Sequence, residues 1–165
     1  GMLQGKLPRL VNLSLVPVPL LLVTCLWYQY NYAGFPRSPF RQANAYLRDH
    51  YEAGDAIVHE NKLSFFPSHY YDRTLAQEYV GDVPGSPTDT LALPTQEVLG
   101  LLAQRDMAHA VDDSPRVWFV VFQRALDEAQ VLGVQNPNKA WLDAHYRLTD
   151  TVRLRDLSIF LYKLS

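Results

Sequence analysis

The sequence has one cysteine, Cys25, in 165 residues, which excludes an internal disulfide and a zinc site built on paired cysteines. It has no excess of positive charge. Fifteen Lys and Arg against 17 Asp and Glu leave a net charge of −2, so nucleic acid is not an expected partner. Glycine is missing where a phosphate would need it: the segment after the first short apolar run reads HENKLSFFP, residues 59–67. No P-loop, no Gly-x-Ser-x-Gly elbow and no His-Glu-x-x-His pattern occurs, and Cys25 lies in an apolar segment unsuited to a thiolate nucleophile. Neither a cofactor nor a metal is therefore expected. Internal repeats and low-complexity tracts are absent too. With 48% apolar and 19% charged residues, the chain has the composition of a folded protein.

Charge is also missing locally. Between Arg9 and Arg37 lie 27 residues without Asp, Glu, Lys or Arg. They contain LVNLSLVPVPLLLVTCLW, residues 10–27, followed by Trp27, Tyr28, Tyr30, Tyr32 and Phe35. A run of this length is at the lower limit for a membrane-spanning helix, and Trp and Tyr suit its interfacial end. Lys6 and Arg9 would then mark the cytoplasmic side. A second reading is a lipoprotein signal ending at LVTC, with Leu22 and Cys25 in place. A third is a soluble strand, because Val11, Leu13 and Leu15 alternate with Asn12 and Ser14. In an interaction module, the same segment would join two copies of the chain through residues 10–32.

FPRSPF, residues 35–40, reads as the boundary between an N-terminal segment (1–35) and a domain (36–165). Ser38 and Pro39 suit the start of a helix carrying Phe40, Ala43, Leu47 and Tyr51, with Gly54 at its end. DAIVHE (55–60) is a short buried strand and 61–80 is mostly helical. Gly and Pro make 81–89 a loop. TLALP (90–94) reads as a strand and 95–109 as a helix with Val98, Leu101, Leu102 and Met107 inward. RVWFVVF (116–122) is the strongest strand signal, with Trp118 and Val120 expected in the core. Helices follow over 123–133, ended by Gly133, and over 138–145. YRLTDTVRL and LSIFLYKL then form a hairpin turning at Arg155–Asp156. Strands alternating with helices predict an α/β fold. Its expected form is a three-layer Rossmann-like sandwich, a mostly parallel sheet with an antiparallel C-terminal hairpin.

Open α/β sheets place ligands at the carboxyl ends of their strands. That puts His59, Glu60, His69, Tyr70, Tyr71 and Asp72 forward as ligand-contact residues. His69 and Asp72 are three apart and would share a helix face. One of Tyr70 and Tyr71 is expected in the core, and the other free to stack on a sugar ring or lie at a membrane interface. His59 and Glu60 are expected at the strand end, partly exposed, with Phe65 or Phe66 packed inward. The residues alone also allow a soluble Rossmann-like enzyme or small-molecule-binding protein with its site there.

An apolar span ending in Trp and Tyr, then RQANAYLRDHYEAGDAIV, HYYD, PRVWFVV and LSIFLYKL, form a familiar order. Over residues 16–165 it resembles the C-terminal end of bacterial polytopic membrane glycosyltransferases of the dolichyl-phosphate-mannose–protein mannosyltransferase type. The resemblance implies a small α/β domain outside the cytoplasm, anchored at the cell membrane, beside a membrane glycosyltransferase partner. It also implies sugar transfer from a polyprenyl-phosphate donor, with the donor's sugar or phosphate headgroup as a ligand. The family's catalytic carboxylates lie in an early loop between its first membrane helices, which nothing here matches. A non-catalytic accessory domain is therefore expected.

Overall fold

Runs of β-branched and aromatic residues set the sheet, and glycines and polar caps set where the helices stop. A computed structural model of the chain describes residues 17–31, 38–81 and 93–164. The chain divides into two units, Gly1–Arg37 and Ser38–Ser165. In the first, helix α1 (Pro17–Asn31) has 15 residues. Leu20, Leu21, Leu22 and Val23 are each more than half exposed, and four consecutive residues go all the way round a helix. So α1 is apolar on every side, a pattern that calls for an apolar environment. The helix overturns the strand reading for residues 17–31, whereas the alternation at Val11–Leu15 lies outside the described residues. Among the described residues, no helix is long and apolar enough to cross a membrane. Part of the 10–27 segment lies outside them.

The second unit runs α2 (Phe40–His50), β1 (Ala56–His59), α3 (Lys62–Tyr71), β2 (Glu78–Tyr79), α4 (Leu93–Leu99), α5 (Met107–Val111), β3 (Arg116–Phe122), α6 (Gln123–Val131), α7 (Pro137–His145), β4 (Tyr146–Leu154) and β5 (Leu157–Leu164). The strand order in the sheet is β2-β1-β3-β5-β4. β1 pairs in parallel with β2 and with β3, and β5 pairs antiparallel with β3 and with β4. β5 alone runs against the other four, so the fold is α/β with a mostly parallel sheet and a C-terminal hairpin.

β3 explains itself: from Val117 to Val121 no residue is more than 2% exposed. Val117, Phe119 and Val121 pack with Val58, Tyr162, Met107 and Val111, and with Leu142 of α7. Trp118 and Val120 pack with Ile57, Ile159 and Leu161, and with Phe40, Ala43 and Leu47 of α2. A strand covered on both faces has no polar side to show, so its sequence does not alternate. At its base, Trp118 Nε1 donates to the buried Asp55 carboxylate at 2.8 Å.

Several expectations need correction. Pro39 takes the cap position of α2, while the Ser38 hydroxyl donates to Asp156 at 2.5 Å, a charged acceptor stronger than a backbone partner. Tyr51 follows the helix and is 37% exposed, and Gly54 (φ +95°) serves the turn into β1 rather than the helix end. Residues 61–80 are only half helical: Asn61 caps α3 through Leu63 N–H, and the chain leaves the helix at Asp72 to form β2. The strand expected at 90–94 is helical at Leu93 and Pro94, and its earlier residues lie outside the described ones. The helix expected over 95–109 stops at Leu99. Gly100, at φ +67°, lets the Gly100 and Leu101 N–H groups bond back to Glu97 and Gln96 carbonyls, which closes the helix end. A new cap, Asp106 to His109 N–H at 3.0 Å, starts α5. Val98 is consequently 88% exposed and Leu102 56%, whereas Met107 is buried as expected.

Candidate functional site

From β1 the chain crosses to β2 on one side, and from β3 it crosses past β5 to β4 on the other. The connections after β1 and β3 thus leave in opposite directions, and the space beyond their carboxyl ends is where such sheets hold ligands. His59 ends β1, and the Glu60 N–H donates to the Val120 carbonyl of β3 at 3.0 Å. Three groups of side chains meet this end of the sheet or lie along α3, and they differ in character.

The first group is sealed. His59 is fully buried, which corrects the expectation of partial exposure: β1 is flanked by β2 and β3, and the Phe65 ring of α3 sits edge-on to the imidazole at 5.8 Å. His59 Nε2 lies 2.7 Å from Gln77 Oε1, which places the ring proton on Nε2. Nδ1 keeps a buried lone pair without a hydrogen-bond partner among the described residues. Burial pushes the pKa down to about 4, against the opposing Gln77 bond, so the ring is neutral at pH 7. Ser68 Oγ lies 2.8 Å from Gln77 Oε1 and 2.7 Å from Asn44 Oδ1, and Asn44 Nδ2 donates to the Ser68 carbonyl at 2.7 Å. This ladder ties α2 and α3 to the segment before β2.

The second group is open. Asn136 accepts the Lys139 N–H at 2.9 Å as the cap of α7, and its Nδ2 donates to Glu60 Oε1. One carboxamide thereby starts a helix and fixes the carboxylate at the end of β1. Asn136 also borders a groove of about 470 Å³ between α6 and α7, whose polar lining is Gln130, Gln135, Asn136 and Lys139. Lys139 pairs with Asp143 at 2.9 Å, and its ammonium lies 5.3 Å from the Phe160 ring centre. Asp143 also accepts from Gln135 Nε2 and from the buried Tyr162 hydroxyl. Burial first, and then Asp143, raise the Tyr162 pKa, so the phenol stays protonated. Carboxamides that both donate and accept, beside one ammonium, suit a hydroxyl-rich ligand.

The third group lies along the last turns of α3. His69 stacks on Phe65 at 5.5 Å. Tyr70 and Tyr71 are 72% and 49% exposed and meet edge to face, so neither is in the core, contrary to expectation. The interior is taken by Phe65, with Phe66 half-buried, both packed on Tyr79. Arg41 lies 5.8 Å over the Tyr71 ring. Asp72 turns to α2, where Arg48 holds its carboxyl down to about 2, aided by Thr74. Among the described residues no hydrogen bond joins His69 to Asp72, and no group of three His, Cys, Asp or Glu could hold a metal ion.

The six residues singled out in the sequence therefore do not form one site. Glu60 is bonded to Asn136, which lines the groove, His59 is in the core, and the other four follow α3. Gln130, Gln135, Asn136 and Lys139 belong to no motif in the sequence. Only the Asn136–Pro137 pair carried a local signal, that of a helix start. Set against protein-family models, curated proteins and solved structures, the chain matches none.

Proposed function

We propose that residues 38–165 are a non-catalytic accessory domain of a polyprenyl-phosphate-sugar-dependent membrane glycosyltransferase. In this reading the domain is a three-layer Rossmann-like sandwich outside the cytoplasm, held at the cell membrane by the apolar segment around α1. Helices against both faces of the sheet support the sandwich. The observation that carries the functional reading is the groove between α6 and α7, with three carboxamides and Lys139 on its wall. With Asn136 held by Glu60 and the start of α7, the Gln130 and Gln135 carboxamides match sugar hydroxyls, and the Lys139 ammonium, paired here with Asp143, matches a phosphate. The sealed, neutral His59 is poorly placed for proton transfer to a bound sugar.

A short-chain polyprenyl-phosphate mannose titrated into the full chain tests the proposal. Binding is expected, with Gln130→Ala and Gln135→Ala weakening it several-fold at unchanged melting temperature. Equal binding by the variants would remove the groove from the reading. Release of mannose by the chain alone would replace it with the enzyme reading.

A further inference from the structure

Asp143 is not among the residues that line the groove between α6 and α7, yet two of the polar side chains that do line it end on its carboxylate. It stands one turn after Lys139 on α7, and the Lys139 ammonium reaches both of its oxygens, at 3.0 and 2.9 Å. Gln135 Nε2 donates to Oδ2 at 3.0 Å. The Tyr162 hydroxyl, from a fully buried residue of β5, donates to Oδ1 at 2.7 Å and so anchors the carboxylate to the core. The Phe160 and Tyr162 rings lie 5.3 and 6.0 Å from the ammonium. The pair is also partly withdrawn from water, with the Lys139 and Asp143 side chains 22% and 33% exposed.

These bonds decide what the groove offers a ligand. Lys139 is the one charged residue on its wall, and Asp143 already neutralises it. A second carboxylate, Glu60, is bonded to Asn136 on the same wall. One cation beside two carboxylates leaves the groove no surplus of positive charge with which to draw an anion. Gln135 gives an N–H to Asp143 and keeps its carbonyl oxygen for a ligand, an acceptor that suits a hydroxyl and repels a phosphate oxygen. Gln130 can both donate and accept. Hydroxyls are served on both counts, and phosphate charge on neither.

We infer that Asp143 is the specificity-determining residue of the groove: by holding Lys139 and Gln135 it makes the sugar the recognised part of the ligand and excludes bare phosphate. The inference rests on the sugar reading of the groove and deepens it. A polyprenyl phosphate that has given up its sugar retains only the contact for which Asp143 competes. It therefore leaves the groove more readily than the sugar-bearing form.

The test titrates the full chain with inorganic phosphate and, separately, with methyl mannoside. The variants are Asp143→Asn, which removes the charge and keeps an oxygen for Tyr162, Asp143→Glu, and the double variant Asp143→Asn with Lys139→Gln. Phosphate should bind Asp143→Asn at least about tenfold more tightly than the wild type. That gain should weaken with salt, be absent in Asp143→Glu and vanish in the double variant, while affinity for methyl mannoside stays unchanged. In the wild type, NMR of the lysine ammonium groups should show a Lys139 signal that phosphate does not move, a measurement that stands even where Asp143→Asn fails to fold. A Lys139 signal that moves with phosphate in the wild type, an Asp143→Asn chain no tighter for phosphate, or a gain that survives the loss of Lys139 would each overturn the inference. The titration with polyprenyl-phosphate mannose is read separately. Its failure beside a phosphate gain in Asp143→Asn would refute the sugar reading and leave the exclusion of phosphate standing. Its success without that gain would refute only the role of Asp143.

Discussion

His59 gives the domain a pH dependence whose sign follows from its burial. Its pKa is about 4 in the fold against 6.5 when free, so the unfolded chain binds the extra proton between those values. Stability is whole above pH 6.5 and falls as the pH drops towards 4, by about 3 kcal/mol at most. Asp72 acts in a separate window. Arg48 holds it near 2, so its contribution is complete above its ordinary value of 3.8 and is lost only below that. Thermal melts from pH 7 to 4 should show the first loss, and His59→Gln should flatten it even if the variant is less stable at pH 7. A slope unchanged in His59→Gln would assign the effect elsewhere. Arg155 makes the opposite kind of prediction. It turns the hairpin at φ +52°, a left-handed conformation that side chains beyond Cα disfavour by about 1 kcal/mol. Arg155→Gly should therefore raise the melting temperature, and a lowered one would show that the arginine side chain does more than occupy the turn.

At the level of elements, glycine placement decides more than apolar periodicity. Gly133 (φ +69°) ends α6 with bonds from Gly133 and Val134 N–H to Gln130 and Ala129 carbonyls, as Gly100 ends α4. A Cβ at Gly133 would meet nothing within 4 Å, so Gly133→Ala tests backbone strain alone and should destabilise by about 1 kcal/mol in denaturant melts. Val120, 1% exposed, is the contrasting case: Val120→Asp should prevent folding, because an unpaired buried carboxylate costs several kcal/mol. A soluble, cooperatively melting Val120→Asp would contradict the packing of β3. β1, β3, α7 and the hairpin were legible because each is a run whose local signals agree with its burial. Gly100 carried the same signal as Gly133, yet the apolar string around it reads as one helix when the glycine is passed over. β2 was illegible for another reason. Two residues, one of them the exposed Glu78, form a strand only because β1 offers an edge. The groove residues were hidden likewise, since Gln130 and Gln135 meet Asn136 only once α6 and α7 have folded.

For the molecule as a whole, orientation across a membrane is the test with the widest reach. The proposed function places Lys6 and Arg9 on the cytoplasmic side and residues from about 36 onward outside. A phosphatase reporter fused after Ser165 should then be active, and a reporter active only in the cytoplasm would refute that placement. The sheet order sets a further condition on how such a domain is made. β5 pairs with both β3 and β4, yet its eight residues follow both of them in sequence. Until they arrive, β3 has one unpartnered edge and the aromatic residues opposite β5 stay wet. Contacts this distant in sequence also form slowly. Under the proposed placement outside the cytoplasm, residues 157–164 must therefore pass the membrane before the sheet can close. During that interval the domain is dependent on whatever shields an open sheet edge, and cutting it within β5 would leave an unfoldable chain.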